Sequence, residues 1–416
     1  MPGAGDPHGR PLMMTTSRQP SLGIIVVGAS LAGLRASEAL RAQGYRGQLT
    51  LVGDEPYAPY DRPPLSKALL AGTSAPEALS FPLDPDLGIT LRLGVPAVRL
   101  DLDARTIELA DSTRLPFAGL VIATGAAARP WPDRPPRGVH TLRGRDDALA
   151  LRSELDTEAR LLVVGGGFIG SEVAATAREL GAHVTLVEAE SQPLRRAMGE
   201  EAGRFLAEIH RAAGVDLKTG TSVSSFAGLD QLTGATLSDG TDLDATVAVL
   251  ALGAIPNTDW LADSGLQLDR GVVCDTYCRA LLSDGSPAPA VVAAGDVARW
   301  PHPWAGDSAV SLGHWSNAIE QAEAAAATLL AKEGELSPYL PVPSFWSDQY
   351  GVRFRSVGIP ALGDEAEVVE SDSIARRLEV VYYRQGNMVG VLTANRISRI
   401  SGHQRRLAAE LAAGIE

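Results

Sequence analysis

Short apolar runs that end in glycine or small-residue turns recur along this chain, at residues 22–27, 48–52, 120–125, 161–164, 183–187, 246–252 and 290–294. They do not alternate with polar positions, which marks strands buried on both faces of a parallel sheet. Helical spacing follows the runs at 22–27 and 161–164, and an alanine-rich helix is expected over 314–332 with Trp315 in its first turn. Strands alternating with helices predict an α/β architecture. Short strands with turn signals run from 89 to 109, and residues 130–136 hold four prolines that read as a linker. Beyond Pro338, Pro341 and Pro343 the pattern changes to period two at 345–349, 352–357, 378–384 and 388–394, with a helix expected only over 398–413. That change predicts a separate α+β unit.

The most informative stretch lies in mid-chain. After the run at 161–164 come Gly165, Gly166, Gly167 and Gly170, a complete G-x-G-x-x-G between a strand and a helix. Gly165 lets the chain turn, Gly167 lets backbone amides approach a pyrophosphate, and Gly170 lets helix and strand pack closely. The helix N-terminus then directs free amides and its positive dipole end at the phosphates. The next strand ends on Glu188, 23 residues after Gly165, where a carboxylate accepts from both hydroxyls of an adenosine ribose and repels a 2'-phosphate. Arg195 and Arg196 are close enough in sequence to soften that preference for NADH. A second unit opens at Gly28-Ala29-Ser30-Leu31-Ala32-Gly33, with Ser30 in place of the middle glycine, and its following strand ends at Gly53, Asp54 and Glu55. Two such units imply two dinucleotides.

Other stretches carry chemistry less openly. Asp61-Arg62-Pro63-Pro64-Leu65-Ser66-Lys67 reads from composition as a stiff turn opening a capped helix with an exposed lysine. The strand at 120–125 closes on Thr124-Gly125, and that at 290–294 on Gly295-Asp296. An acid at the carboxyl end of a buried parallel strand sits at the ligand-binding edge of an α/β sheet, and equally suits a helix N-cap.

Charge and cysteine usage then restrict the partners. A net charge of −13 argues against a nucleic-acid or anionic-membrane surface, both of which demand a basic footprint. The segment 341–416 is balanced, with nine arginines against nine acids, so the acidity belongs to the first 340 residues. Cys274 and Cys278 have no C-x-x-C spacing and read as buried structural thiols in a reducing compartment. No apolar run approaches the ~20 residues of a membrane span, and residues 1–20 hold no h-region. They read as a loose tail, or as a start misplaced before Met13 or Met14, and the protein is expected in the cytoplasm.

Taken together, Asp61-Arg62-Pro63-Pro64-Leu65-Ser66-Lys67, Ala123-Thr124-Gly125, Ala294-Gly295-Asp296 and Phe345-Trp346-Ser347-Asp348-Gln349-Tyr350 resemble the FAD-dependent, NADH-linked ferredoxin reductases of the putidaredoxin, rubredoxin and dioxygenase type. The resemblance runs from about residue 22 to the C-terminus. It implies a glutathione-reductase-like fold of two Rossmann-like domains and a C-terminal α+β domain: a discontinuous FAD domain (21–128 and 256–336), an inserted NADH domain (129–255) and a cover (337–416). It further implies that Gly28, Ser30, Ala32, Gly33, Asp54, Glu55 and Val98 serve the adenosine and pyrophosphate half of FAD. Asp296 is implied on its ribityl chain, Thr124 and Gly125 as further FAD contacts, and Pro64, Lys67, Arg143, Trp315 and Trp346 around the flavin ring. Gly165, Gly167, Gly170, Glu188 and Arg196 are implied for NADH, with Lys67 and Glu172 paired on the hydride path. The activity implied is hydride transfer from NADH to non-covalent FAD, followed by single electrons to an iron-sulfur ferredoxin that serves an oxygenase, in a monomeric protein. An NADH oxidase and a redox-sensing flavoprotein like apoptosis-inducing factor are the alternatives; the first lacks its usual redox cysteine, and the charge opposes the second. Arg353 and Arg355, on one face of their strand by alternation, are candidates to steer the acidic partner, or simply line a solvated face.

Overall fold

A computed structural model describes residues 22–332 and 334–413; the tail expected over residues 1–20 lies outside them. The first sheet is built on parallel strands in the spatial order Pro287–Ala293, Arg114–Ile122, Gly23–Val27, Leu49–Val52, Ile89–Arg92. Its central rungs pair Val26 with Leu51 on one side and Val121 on the other, and Val291 with Leu120. These rungs are dry on both sides, within a core that also takes in Leu100, Ile107 and Leu109 of the short strands Ala97–Asp101 and Thr106–Leu109: Val26, Leu51, Leu120 and Val121 have no exposed surface. At about 1.5 to 3 kcal/mol for each fully buried aliphatic side chain, these runs are the main stabilising element of the unit. Helices Leu31–Ala42 and Trp315–Leu330 pack on it together, and their alanines permit the close approach.

A second parallel sheet has the order Asp216–Thr219, His183–Glu188, Arg160–Val164, Val247–Leu250, Val139–Thr141. Its whole length in sequence falls between two strands of the first sheet. The chain leaves through Ala126–Ala128 and returns through Ala254–Pro256, and those two short strands pair antiparallel. An insertion that starts and ends at one point leaves the first sheet undisturbed.

The last unit is an antiparallel sheet ordered Ser344–Gln349, Val352–Gly358, Asn387–Ala394, Arg377–Arg384, Glu365–Asp372, closed by the helix Ile397–Ala413 through Leu407 and Leu411. Four of its strands fall where the period-two stretches predict them, although Arg377–Arg384 and Asn387–Ala394, as inner strands of the sheet, are buried almost continuously and do not alternate. The fifth, Glu365–Asp372, corresponds to no such stretch: it is exposed along nearly its whole length. An edge strand with one neighbour and charged side chains needs no apolar face, and it carries none.

Candidate functional site

A cavity of about 640 Å³ opens where the parallel strands of the first sheet end. Its wall is made by the turns that follow those strands: Gly28 to Ala32, Gly53 to Glu55, Ala123 to Ala127, and Gly295 with Asp296. These turns lie at the carboxyl ends of the parallel strands, the ligand edge of an open α/β sheet. At the first turn the backbone tolerates only glycine in two places. Gly28 has φ +118° and a Cβ there would lie 2.0 Å from the Ala123 carbonyl oxygen; a Cβ on Gly33 would lie 1.9 Å from the Gly28 oxygen. Gly28, Ser30 and Ala32 line the cavity, while Gly33 closes the turn from behind. Ser30, the helix N-cap, accepts a hydrogen bond from Arg62 Nε at 3.2 Å, so its hydroxyl is tied to the neighbouring segment.

The two acids after the second strand differ. Asp54 is exposed at the rim, whereas Glu55 accepts from the Tyr60 hydroxyl at 2.6 Å and pairs with Arg62. Glu55 therefore braces the Asp61–Lys67 segment with its carboxylate instead of presenting it freely to a ribose. Besides Gly33, two expected positions fall outside the wall. Val98 is exposed and Pro96 and Ala97 take its place, because the alternation of that strand turns residue 98 outward; Pro63, not Pro64, lines the cavity one residue earlier in the turn.

Charge is distributed along the wall. Arg143 Nη2 donates to Asp296 at 2.8 Å and its Nε to the Ala126 carbonyl at 2.7 Å, so the acid is a ligand-edge carboxylate with a partner and not a helix N-cap. Thr124 and Asn257 exchange two side-chain to backbone hydrogen bonds of 2.8 Å each, clipping the Thr124-Gly125 turn to the point of return from the insertion. Trp315 donates to Asp61 and meets Trp346 edge-on at 5.5 Å between centroids, with Trp346 36% exposed at the mouth.

Lys67 is not the free surface lysine that composition suggests. Its ammonium lies 2.5 Å from Glu172 Oε2, and Glu172 is 7% exposed. The same carboxylate accepts from Ser66 Oγ at 2.6 Å and from Ser347 Oγ at 2.6 Å. One buried acid thus joins all three units, since Ser66 and Lys67 belong to the first, Glu172 to the insertion and Ser347 to the last. Sequence reasoning found the Lys67–Glu172 pair but neither serine, although both lie inside stretches that were singled out. It also passed over His314, whose ring lines the cavity against Phe345 at 4.9 Å; its Nδ1 is buried without a partner, and burial lowers its pKa to about 4.

The second glycine turn repeats the geometry of the first. Gly165 has φ +104° with a Cβ position 2.4 Å from the Ala251 oxygen, and a Cβ on Gly170 would lie 2.0 Å from the Gly165 oxygen. Gly167 is the N-cap of helix Phe168–Glu179 and faces open space. Glu188 Oε2 accepts from the Gly166 amide at 2.6 Å and its Oε1 from the Glu190 amide at 2.8 Å. Arg196 does not reach Glu188: it is held by Glu190 at 2.6 Å and is otherwise exposed. Cys274 and Cys278 are buried in the core of the first unit and do not line the cavity; burial pushes the Cys278 thiol up to about 12.

The donor set suits a dinucleotide at each turn: glycines where a Cβ would strike backbone, amides at a helix N-terminus, and a carboxylate at the end of the following strand. The sequence profile of the pyridine nucleotide-disulphide oxidoreductases matches residues 23–322, and that of the reductase C-terminal domain matches 344–413. Rhodocoxin reductase of Rhodococcus erythropolis is 36% identical over 94% of this chain and 90% of its own length. Putidaredoxin reductase of Pseudomonas putida is 36% identical over 90% of this chain and 88% of its own. The reductase in the crystal structure of the covalent putidaredoxin reductase–putidaredoxin complex superposes with a TM-score of 0.86 at 33% identity, covering 94% of this chain and 93% of that one.

Proposed function

The chain belongs to the pyridine nucleotide-disulphide oxidoreductase family, and we propose that within it the protein works as a ferredoxin–NAD(+) reductase, taking hydride from NADH onto FAD and passing single electrons to an iron-sulfur ferredoxin that serves an oxygenase. One observation carries the reading: the cavity that would take FAD is met by an ion-paired lysine from the first unit, by Phe168, Ile169 and Glu172 at the start of the insertion's Phe168–Glu179 helix, and by a tryptophan from the last unit, and no thiol lines it. Disulfide chemistry needs a thiolate at the flavin, and both cysteines are buried away from it. The two thiols in a reduced state suit the cytoplasm, and we read the protein as a monomer. In this reading residues 21–128 and 256–336 hold FAD, 129–255 hold NADH and 337–416 form the cover.

Bound FAD supplies the conversion of a two-electron hydride into single electrons. What the chain supplies is position and charge. Asp296, held by Arg143, would accept from the ribityl chain, and Asp54 from the adenosine ribose. Lys67 would supply positive charge to the flavin, and Glu172 with Ser66 and Ser347 fixes where that charge sits. Glu188 accepts from the ribose of NADH, while the Phe168–Glu179 helix turns its N-terminal amides to the pyrophosphate. Phe345 and Trp346 of the last unit line the same cavity, and their rings would displace water beside a bound flavin and so raise the worth of the fixed charges there.

The test is direct. Purified protein should be yellow with releasable FAD, and NADH should reduce an added small ferredoxin in steady state. Asp296→Ala should lower FAD retention, a lost charged acceptor being worth about 1.5 to 3 kcal/mol. NADH consumption that is unaffected by the ferredoxin and matched by oxygen uptake would overturn the reductase assignment.

A further inference from the structure

Three segments converge on the second glycine turn. Glu188 bonds the Gly166 amide, the Glu190 amide bonds Glu188, and the Leu194 amide donates to the Gly166 carbonyl at 2.9 Å. The next two residues are Arg195 and Arg196. They sit on a short helical turn set off from the rest of helix Arg195–Ala212 by Gly199, at φ 77° and ψ 178°, and the Met198 carbonyl at its end accepts from the Tyr382 hydroxyl. Both ends of the arginine-bearing turn are anchored, and its two guanidiniums meet on the carboxylate of Glu190, two residues beyond Glu188.

Two guanidiniums at that place are the side chains that ordinarily recognise a 2'-phosphate, by bidentate charge-assisted hydrogen bonds. Here they are already engaged. Glu190 Oε2 takes Arg195 Nη1 at 2.8 Å, and Glu190 Oε1 takes Arg196 Nε at 2.7 Å. Arg195 Nε is further held by Glu200 at 2.7 Å, and Ser191 braces Glu200. The arginines hold the Glu190 carboxyl below the usual carboxylate range, Arg196 first and Arg195 next, so the clamp stays charged through the neutral range.

We infer that Glu190 is a specificity-determining residue: its carboxylate occupies both guanidiniums, withholds them from a 2'-phosphate, and so makes the chain selective for the unphosphorylated dinucleotide. Glu188 alone repels a 2'-phosphate, but two free arginines beside it would cancel that repulsion. Selectivity therefore needs two acids, one facing the ribose and one holding the arginines. This rests on Glu188 being the ribose carboxylate.

Titration calorimetry with ADP-ribose and 2'-phospho-ADP-ribose separates the two ideas. Glu190→Gln, with Glu190→Ala as a second variant, should improve the affinity ratio for the phosphorylated ligand by about ten- to a hundredfold, the size of one new charge-assisted hydrogen bond. Arg195→Ala and Arg196→Ala added to Glu190→Gln should abolish the gain. Glu188→Gln should weaken ADP-ribose itself. Weaker ADP-ribose in the Glu188 variant with an unchanged ratio in both Glu190 variants overturns the clamp alone; unaltered ADP-ribose binding in the Glu188 variant overturns the nucleotide reading beneath it.

Discussion

Glu172→Gln removes one charge from the point where the three units meet and nearly keeps the shape. The carboxylate has three donors: Lys67, Ser66 and Ser347. An amide has one accepting oxygen and one NH2, so the NH2 must face one of them. Turned toward Ser347, whose hydroxyl can accept, it leaves Lys67 with a dipole in place of a counter-ion. At an effective dielectric of about 20, two charges about 3 Å apart attract by roughly 5 to 6 kcal/mol. Desolvation of the ions offsets most of this, and the Lys67 side chain remains 26% exposed, which screens the remainder. The expected net loss is about 1 to 3 kcal/mol. Lys67→Met should cost a similar amount, because it strands the acid, and the double variant should cost clearly less than the sum, with a coupling of about 1 to 2 kcal/mol. Urea unfolding midpoints of the four proteins give the cycle, and stopped-flow reduction of the bound flavin by NADH gives its functional counterpart. The single variants should slow that step by about tenfold or more, the rate equivalent of 1.4 kcal/mol. Additivity within about 0.3 kcal/mol would refute the reasoning, since the pair would then be adjacent but uncoupled.

The two glycine classes should separate: Gly33→Ala forces a Cβ to 1.9 Å from a carbonyl oxygen and should abolish flavin incorporation, whereas Gly167→Ala meets open space and should retain FAD while weakening NADH. Flavin loss in the Gly167 variant would count against its placement at the NADH pyrophosphate. Cys274→Ser with Cys278→Ser should keep flavin reduction and lose only stability, as expected of two buried thiols; a folded, flavin-loaded double variant that NADH cannot reduce would return dithiol chemistry to the mechanism. His210, fully buried against the Tyr350 hydroxyl, has its pKa lowered by burial to about 3. The unfolded chain then binds the extra proton first, so stability is intact above about 6.5 and falls below it, at up to about 1.4 kcal/mol per unit from this residue. His210→Gln should flatten the curve between about pH 6.5 and 5, and an unchanged slope would remove His210 from the account. For the partner, Arg353 is exposed whereas Arg355 is paired with Asp348 at 2.7 Å. Steering should therefore depend on Arg353 more than on Arg355: Arg353→Ala should slow ferredoxin association, more at low salt than at high, with NADH reduction of the flavin untouched. Equal salt dependence in both single variants and the parent protein would move the docking face elsewhere.

What the sequence made legible was what neighbouring residues decide together. Buried parallel strands announce themselves as unbroken apolar runs, and the turns after them demand glycine because the backbone passes within 2.0 to 2.4 Å of a hypothetical Cβ at Gly28, Gly165 and Gly170. Those constraints are local, so a single sequence displays them. The insertion was readable for the same reason, as a complete strand, turn, helix and strand in mid-chain. Glu365–Asp372 was missed because its only structural requirement is one hydrogen-bonded neighbour, which leaves no mark on the pattern.

The site was legible in its residue types and much less so in its pairings. Ser66 and Ser347 meet Glu172 across sequence separations of 106 and 175, and Arg143 meets Asp296 across 153. Nothing local records which distant side chain will satisfy a given hydroxyl or carboxylate. A physical rule nevertheless narrows the search: a buried acid needs about as many donors as it has lone pairs left unsolvated, or it does not stay charged. Once Lys67 and Glu172 are placed together in a dry junction, one ammonium leaves part of the carboxylate's about four acceptor sites unfilled, and further donors must come from the elements packed against them. The hydroxyls beside Lys67 and beside Trp346 were the ones available. The same rule assigns Glu55 to Tyr60 and Arg62, which is why Asp54, not Glu55, is left at the rim for a ligand.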